Sequence, residues 1–461
     1  MKPICLTEDI RRIERAAGDA PLMERAGAAA AEVAARMIGE TGKDVLILPG
    51  PGNNGGDARI VADRLKERFF RVQVATRRGE IGEKPWGLVV DGLFGIGLAR
   101  EVEGEYAALI DYINRQRCPV LALDIPSGLH SDTGRVLGHA VRATRTVTFI
   151  ALKPGLLTLD GPDHCGEIDV ATLDLDLPAG NAWVADRAVF SGVLKRRPRN
   201  FHKGMAGSLA ILGGAAGMAG AALMAGRAAL KLGAGRVYVG LLDEAMTLDP
   251  FAPELMLRHP DHALGQDLDA IVVGPGLGEG ERAETLLGAA LASDLPCVLD
   301  ADALNLISES EDLRHACARR SAETLLTPHP AEAARLLAMR TADVQADRVK
   351  AAKILAHNLN AHVVLKGAGS ILVARDGHWF INTSGNPGMA SAGMGDVLAG
   401  ILGALVAQRY SGESSLVLGT HLHGAAADAL VKAGVGPVGL TASEVIDAAR
   451  REWNRWLDDP A

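Results

Sequence analysis

The sequence has few cysteines, and their spacing argues against two kinds of site. Only 5 of its 461 residues are Cys, an odd number with no CxxC pair among them. Disulfide frameworks and structural zinc sites both depend on paired or closely spaced cysteines, so we expect neither. Reduced thiols are typical of a cytoplasmic protein, and we expect that location.

The chain also lacks an excess of basic residues. Its 48 Lys and Arg stand against 56 Asp and Glu, which gives a formal net charge of −8 at pH 7. Nucleic-acid-binding proteins concentrate basic residues, so we expect no nucleic-acid partner. With 48% hydrophobic and 23% charged residues, the composition is that of a globular protein of two or three domains.

Long apolar runs are scarce as well. The N-terminal residues carry charges throughout and lack the apolar core of a signal peptide. The one uncharged run of bilayer length, residues 207–226, is rich in glycine. A short strand, a glycine turn and an alanine-rich helix explain this run better than a membrane span does, so we expect no membrane partner.

What the sequence does contain is two series of short apolar strands that alternate with helical stretches. The first series follows a helical opening over residues 10–37 and runs from DVLILPG to RTVTFI, and the second runs from SLAILGG to HWFIN. Strands that are apolar throughout indicate parallel sheets covered on both faces. Residues 178–198 mix proline, glycine and charge without periodicity, so we predict two α/β domains, residues 1–190 and residues 191–461.

Polar groups follow three strands of the first series. The sequence GPGNNGGD, residues 50–57, lies between a strand and a helix and contains GxGxxG. This pattern alone is weak evidence for a dinucleotide site, and the side chains of Asn53, Asn54 and Asp57 suit hydroxyls, an amide or a cation better. The alternative is an Asn-Gly turn capped by Asp57. Asp91 and Asp124 end two further strands, at the sheet edge where open α/β sheets bind ligands.

Four segments, LMERAG, GPGNNGGD, VVDGLFGIGL and LDIPSGL, together resemble the NAD(P)H-hydrate epimerase domain over most of residues 1–175. The resemblance implies a Rossmann-like three-layer α/β/α domain in which two loops and Asp124 contact a hydrated dinucleotide. The residues of the two loops are Asn53, Asn54, Gly55, Gly56 and Asp57, and Gly95, Ile96, Gly97, Leu98, Ala99, Arg100 and Glu101. It also implies a potassium ion held by Asn54, Asp91 and Ser127, whose oxygen atoms suit that ion.

We interpret Asp124 as the general acid/base of the epimerisation, which is a hypothesis. The sequence departs from the epimerase pattern at three positions. Ala58 stands where glycine usually follows the aspartate, and Gly92 and Ile96 replace the common Ala and Thr.

In the second half, residues 382–400 read NTSGNPGMASAGMGDVLAG, a strand end followed by glycines and an apolar helix. Gly393 and Gly395 allow backbone N–H groups to point at an anion, beside which Asp396 can activate a hydroxyl. This predicts phosphoryl transfer without a P-loop, because no GxxxxGK[ST] occurs. A glycine-rich join capped by Asp396 is the alternative. KGAGS, residues 366–370, suits either a phosphate loop or a hairpin turn.

The motifs HKGMAGSLAILGG, PELM, GPGLG, DADALN, TPHPAE, KGAGS and GNPGMASAGMGDVLAG, in this order, resemble the ADP-dependent NAD(P)H-hydrate dehydratase domain, a branch of the ribokinase-like fold, over residues 202–400. The resemblance implies that Ala221, Gly276, His329 and Asp396 contact the hydrated dinucleotide. It implies that ADP contacts Lys366, Gly367, Ala368, Gly369, Ser370 and Gly395, and that Mg²⁺ takes part. The sequence departs from the dehydratase pattern at three places. Ala331 replaces the usual glycine, Met394 replaces a small residue, and no Tyr precedes Gly220.

Together the two resemblances imply a bifunctional metabolite-repair enzyme that acts on hydrated NADH and NADPH. The first domain interconverts the R and S forms, and the second dehydrates the S form with ADP, giving AMP and phosphate, with Asp124 and Asp396 as the catalytic residues. We expect a homo-oligomer. Two alternatives remain open: a kinase of a small hydroxylated metabolite, because the C-terminal motifs alone demand only a hydroxyl and a nucleotide, and a non-enzymatic nucleotide-binding regulator. His421 and His423, two residues apart in a helical segment, face different sides, so we expect no metal there.

Overall fold

The computed structural model describes residues 1–39, 44–177 and 180–458. The chain divides into two compact units, Lys2–Trp183 and the residues from Val184 onward together with Met1. The division lies inside the stretch 178–198, a few residues before the boundary predicted at residue 190. Each unit is built of alternating strands and helices, as the sequence predicts.

The first unit contains one parallel sheet. Its strands are β1 (Val45–Pro49), β2 (Val72–Val74), β3 (Leu88–Gly92), β4 (Val120–Leu123), β5 (Arg145–Phe149) and β6 (Glu167–Ala171). They lie in the order β2-β1-β3-β4-β5-β6. Val45 and Ile47 enter one apolar core, and Leu46 and Leu48 enter the other. Both faces of the sheet are therefore covered, which explains why β1 is apolar throughout and confirms the three-layer prediction.

The helices of this unit are α1 (Thr7–Ala16), α2 (Leu22–Gly39), α3 (Asn53–Glu67), α4 (Gly104–Asn114), α5 (Pro154–Leu157) and α6 (Gly161–Cys165), with a 3₁₀ turn at Arg78–Glu80. The opening expected to be helical over residues 10–37 is two helices. Gly18, with φ +58°, and Pro21 separate them. Glycine adopts this left-handed conformation readily, and proline cannot continue a helix from within.

The second unit contains a ten-stranded sheet. Its strands are β7 (Ala182–Val184, at the division between the units), β8 (Ser208–Gly213), β9 (Arg236–Leu241), β10 (Met256–Arg258), β11 (Ala270–Val273), β12 (Cys297–Leu299), β13 (Thr324–Leu326), β14 (His362–Leu365), β15 (Ser370–Val373) and β16 (Trp379–Asn382). The order is β10-β9-β8-β11-β12-β13-β14-β15-β16-β7. The strands from β10 to β14 are parallel, and β15 is antiparallel to both β14 and β16.

Twelve further helices complete this unit: α7 (Arg187–Phe190), α8 (Ala219–Lys231), α9 (Pro260–Leu264), α10 (Glu281–Ala292), α11 (Asp302–Glu309), α12 (Glu311–Ala318), α13 (Pro330–Leu336), α14 (Thr341–Ala346), α15 (Arg348–Leu359), α16 (Met394–Ala407), α17 (Gly412–Lys432) and α18 (Ala442–Asp458), within the described residues. Short 3₁₀ turns occur at Ser191–Val193, Lys203–Ala206 and Pro387–Met389. Residues 207–226 fold as β8, a glycine turn and the start of α8, as predicted. Nowhere in the described ranges does a helix have both the length and the apolar character that a membrane crossing requires.

Candidate active sites

A cavity of about 700 Å³ opens in the first unit at the carboxyl ends of β1, β3 and β4. Most of the residues predicted to contact the dinucleotide line it: Asn53, Asn54, Asp57, Gly95, Ile96, Gly97, Leu98, Ala99, Arg100 and Asp124. They meet because α3 begins directly after β1, the glycine loop follows β3, and Asp124 follows β4. Parallel strands deliver such groups to a common edge.

Three predicted residues do not line the cavity. A Cβ on Gly55 would lie 1.9 Å from the carbonyl oxygen of Gly50, and one on Gly56 would lie 2.6 Å from Sδ of Met23. These two glycines therefore permit close packing of the start of α3. Glu101 is exposed and lies outside the cavity lining.

The three residues predicted to hold potassium are connected to one another, since Asn54 and Ser127 both donate to the Phe94 carbonyl oxygen and Ser127 also contacts Asp91. Asp91 is fully buried and accepts hydrogen bonds from Ser127 Oγ at 2.6 Å and Ser127 N at 2.8 Å. The Asn54 amide donates to the carbonyl oxygens of Phe94 and Leu123, which leaves its Oδ1 buried with no hydrogen-bond partner. Burial raises the pKa of Asp91 to about 6, opposed by its hydrogen bonds to Ser127. This oxygen-only set, with one orphaned carbonyl oxygen, fits a hard cation.

Asp124 is held by a lysine that the sequence analysis missed. Lys153 is completely buried, and its Nζ donates to Asp124 Oδ1 at 2.6 Å, Thr148 Oγ1 at 2.8 Å and the Phe149 carbonyl oxygen at 2.7 Å. All three ammonium protons are therefore used. The other oxygen of Asp124 accepts from the backbone N–H of Ile96 at 3.3 Å. The available signal was a lone lysine in the apolar segment FIALKPGLL directly after β5.

Asp57 has a different environment from Asp124, although both line the cavity. Burial raises the pKa of Asp57 to about 7, and the charges of Asp124 and Glu14 add to the shift. No hydrogen bond or ion pair links the Asp57 side chain to another described residue, whereas Asp124 faces an ammonium group. With its pKa near 7, Asp57 can hold or release a proton close to neutral pH.

Two of the departures from the epimerase pattern compensate each other in volume. A Cβ placed on Gly92 in β3 would lie 2.4 Å from the Cβ of Ala58 in α3. Ala58 is fully buried, so α3 cannot move away from β3 without leaving a cavity in the core. Glycine at position 92 therefore makes room for alanine at position 58.

We expect Gly92→Ala to destabilise the first unit by about 1–3 kcal/mol, because it overpacks this contact. The double variant Gly92→Ala/Ala58→Gly should recover most of that loss and retain only the cost of a helical glycine, about 0.5–1 kcal/mol. Hydrogen exchange of peptides from β3 and α3 measures the stability of the single variant and of the double variant. Equal losses in the single and double variants would contradict the compensation.

The second site lies at the carboxyl ends of β12, β13 and β14, where α16 begins. Gly393, with φ +88°, precedes the first residue of α16, and Asp396 lies in its first turn. Met394 is 5% exposed, so its side chain lies in the interior. Burial and the neighbouring carboxylate of Asp300 raise the pKa of Asp396 to about 7, although Lys366 opposes the shift.

Lys366 is surrounded by carboxylates. Its Nζ donates to Asp300 Oδ1 at 2.9 Å and lies 3.8 Å from Glu332 Oε2. Burial disfavours its charge, but Asp300 and Glu332 raise the pKa of Lys366 above its ordinary value, so the ammonium group stays protonated. Asp300 also accepts from Thr327 Oγ1 at 2.7 Å. Asp300 and Glu332 belong to the motifs DADALN and TPHPAE, which by their sequence alone assign a role to neither residue.

KGAGS is a hairpin turn in the structure, since β14 and β15 pair antiparallel on either side of it. Gly367 has φ +146°, and a Cβ there would lie 2.6 Å from the guanidinium of the buried Arg348. Arg348 in turn donates to the Leu365 and Lys366 carbonyl oxygens at 3.3 Å. Ser370 Oγ closes the turn by donating to the Gly367 carbonyl oxygen at 3.0 Å. A hairpin turn can still contact phosphates, so the two interpretations are compatible.

The other predicted substrate residues lie in the same unit. Gly276, with φ +59°, packs against α8, where a Cβ would lie 3.3 Å from the Cβ of Ala221. His329 precedes the first residue of α13 and accepts from the backbone N–H groups of Ala331 and Glu332 through Nδ1. Its Nε2 therefore carries the proton and lies 3.3 Å from Glu332 Oε1. Burial, with Lys366 and Arg335 nearby, lowers the pKa of His329.

Two family models match the chain. The model described as NAD(P)H-hydrate dehydratase matches residues 209–451. The model described as YjeF-related protein N-terminus matches residues 19–85 and 75–155.

Solved structures resemble the second unit. An ADP/ATP-dependent NAD(P)H-hydrate dehydratase from Bacillus subtilis, co-crystallised with ATP and Mg²⁺, matches with a TM-score of 0.54 and 28% identity. The match covers 60% of this chain and 100% of that one. A ribokinase-like superfamily protein from Enterococcus faecalis has the same fold, with a TM-score of 0.52 and 24% identity over 61% of this chain and 99% of that one.

Whole-chain relatives are more similar still. The bifunctional NAD(P)H-hydrate repair enzyme Nnr of Coxiella burnetii is 38% identical, over 96% of this chain and 97% of the relative. The enzyme of that name from Escherichia coli is 37% identical, over 98% of this chain and 94% of the relative. The chain belongs to the family of bifunctional NAD(P)H-hydrate repair enzymes.

Proposed function

We propose that this chain repairs hydrated NADH and NADPH in two steps. Residues 1–190 interconvert the R and S epimers, and residues 191–461 dehydrate the S epimer with ADP, releasing AMP and phosphate. The observation that carries the proposal is the pair of sites, each with an aspartate directly at the carboxyl edge of a parallel sheet. Asp124 faces the cavity of the first unit, and Asp396 lies in the first turn of α16.

The chemistry of the second step explains why a nucleotide is needed. The hydrate carries a hydroxyl next to the ring nitrogen, and hydroxide is a poor leaving group at neutral pH. Asp396 takes the hydroxyl proton while the oxygen attacks the β-phosphorus of ADP, and AMP leaves. Backbone N–H groups at Gly393–Gly395 stabilise the charge of the transferred phosphoryl group. Phosphate then leaves carbon six, the neighbouring carbon five loses a proton to solvent, and the ring double bond re-forms.

Cations are part of the proposal. Potassium would lie among Asn54, Asp91 and Ser127, where it would order the glycine loop through its oxygen contacts. Mg²⁺, present with ATP in the Bacillus subtilis crystal, would be held near the nucleotide phosphates by Asp302, whose charge also acts on Asp396. When bound, it supplies positive charge to the phosphoryl oxygens. We also place the protein in the cytoplasm as a homo-oligomer, with no nucleic-acid or membrane partner.

The test is a turnover assay on a mixture of both NADH-hydrate epimers with ADP or ATP, following the return of reduced-nicotinamide absorbance. We expect complete, nucleotide-dependent recovery that is faster than spontaneous epimerisation. With the variant Asp124→Asn, the recovery of absorbance should stop once the S epimer is consumed, because this variant impairs only the epimerisation step. Complete recovery by Asp124→Asn at the wild-type rate would remove that residue from the mechanism. No recovery by the wild type with either nucleotide would refute the repair function and favour a kinase of another hydroxylated metabolite.

A further inference from the structure

Two arginines lie at the mouth of the cavity in the first unit. Arg11 is on α1, and Arg100 is at the end of the glycine loop that follows β3. Both side chains line the cavity, and both residues are exposed. The Arg11 guanidinium lies over the glycine loop, 4.0 Å from where a Cβ on Gly97 would be. The opening is therefore bordered by two guanidinium groups, one from α1 and one from the glycine loop.

Neither guanidinium has a hydrogen bond or ion pair to any residue in the described ranges. Arg12, next to Arg11 on the same helix, donates to Asp9 at 2.6 Å instead and does not line the cavity. The chain as a whole carries an excess of acidic groups, with a formal net charge of −8. The charges of Arg11 and Glu14 are close enough to interact, but neither guanidinium is engaged in a direct contact with a described residue, so both can bind an anion.

Two of the three carboxylates that line the cavity lie deeper than the arginines. Asp57 and Asp124 are 7% and 8% exposed. Glu14, one turn beyond Arg11 on α1, is near enough for its charge to raise the pKa of Asp57. Charge is thus arranged along the cavity, with the guanidinium groups and the exposed Glu14 at the opening and the buried Asp57 and Asp124 at the floor. A ligand with an anionic part and an uncharged polar part can bind there in one direction only.

We propose that Arg11 and Arg100 bind the pyrophosphate of the hydrated dinucleotide and make it enter the cavity ring first. This inference rests on the epimerase function proposed for the first unit. A guanidinium group binds phosphate oxygens through paired N–H donors, with a geometry that lysine does not offer. The uncharged hydrated ring then lies against Asp57 and Asp124, and the ribose hydroxyls between ring and pyrophosphate lie beside Glu14. Arg11 is a residue to which the sequence analysis gave no role.

The test measures conversion of the R epimer to the S epimer by chromatography. No nucleotide is added, so the dehydratase reaction cannot proceed. We expect Arg11→Gln and Arg100→Gln each to raise KM about tenfold or more, with kcat little changed. The inhibition constant of ADP-ribose should rise by a similar factor, and that of nicotinamide riboside, which has no phosphate, should stay the same. The matched control Arg12→Gln should match the wild type in all three values.

Each other outcome has a definite meaning. Unchanged KM and ADP-ribose inhibition in both variants would overturn the proposal while leaving the epimerase function standing. A rise in KM for hydrated NADPH but not for hydrated NADH would overturn it in favour of contact with the 2′-phosphate. A wild-type chain that does not interconvert the epimers would overturn this inference together with the proposed function.

Discussion

Replacement of Asp396 by Asn is expected to lower the dehydratase kcat by a factor of about 10²–10⁴, which is the usual contribution of a positioned general base. Asparagine keeps the size of the side chain but cannot accept the hydroxyl proton. The measurement is the return of reduced-nicotinamide absorbance from the purified S epimer with ADP. ADP binding, followed by calorimetry, should be retained, and interconversion of the epimers by the same molecule is an internal control.

The pH dependence of the wild type follows from the same residue. Because the pKa of Asp396 is raised to about 7, its basic, ionised form grows as the pH rises through that value. We therefore expect dehydratase kcat/KM to increase about tenfold per pH unit below pH 7 and to level off above it. A rate that is independent of pH from 5 to 9, or an Asp396→Asn variant with wild-type turnover, would show that another group takes the proton.

Loss of Lys153 is expected to have the largest effect on stability. In Lys153→Met the ammonium group that contacts Asp124, Thr148 and the Phe149 carbonyl oxygen disappears. Removing one partner of a buried ion pair leaves an uncompensated charge and costs about 3–5 kcal/mol. We expect that loss in the unfolding free energy of the first unit, measured by denaturant-dependent hydrogen exchange in β4 and β5, and we expect epimerase activity to be lost with it.

The double variant Lys153→Met/Asp124→Leu separates the two effects. With both charges removed, most of the stability should return, since an apolar pair of similar volume often replaces a buried ion pair without cost. Epimerase activity should remain absent because the acid/base group is gone. If Lys153→Met alone kept full stability, the lysine would not be the electrostatic partner on which Asp124 depends. If the double variant were active, Asp124 would not be the acid/base.

The apolar central strands were predictable, and so was the edge strand β2, but the other three edge strands were not. The sequences DVLIL, LVVD and LALD are buried on both faces, so their composition alone identifies them. The short strands β6, β7 and β10 were missed. In β6 the sequence EIDVA has no fully buried residue, because this strand lies at the edge of its sheet. It has no apolar run, and its alternation of polar and apolar residues covers only residues 167–170, which is too short to identify a strand from the sequence.

Most residues predicted to contact the dinucleotide in the first unit line its cavity, because each follows a strand in a glycine-rich or polar segment. Asn54, Asp91 and Ser127 were predicted to meet, and the structure brings them together. For Gly55 and Gly56 the motif indicated ligand contact, but packing against Gly50 and Met23 accounts for their lack of a side chain. A glycine in a motif marks a close approach of the backbone without saying what approaches it.

The sequence by itself determined the two α/β units, the family resemblance and the strand ends at which the chemistry lies, since these depend on local composition and order. Tertiary structure alone decided which charges meet. Lys153 contacts Asp124 across 29 residues of chain, and Lys366 contacts Asp300 across 66. The volume compensation between Ala58 and Gly92 likewise depends on two segments that are brought together only by the fold. Such pairs arise because distant segments reach one sheet edge, and no local pattern encodes a contact between segments that only the fold brings together.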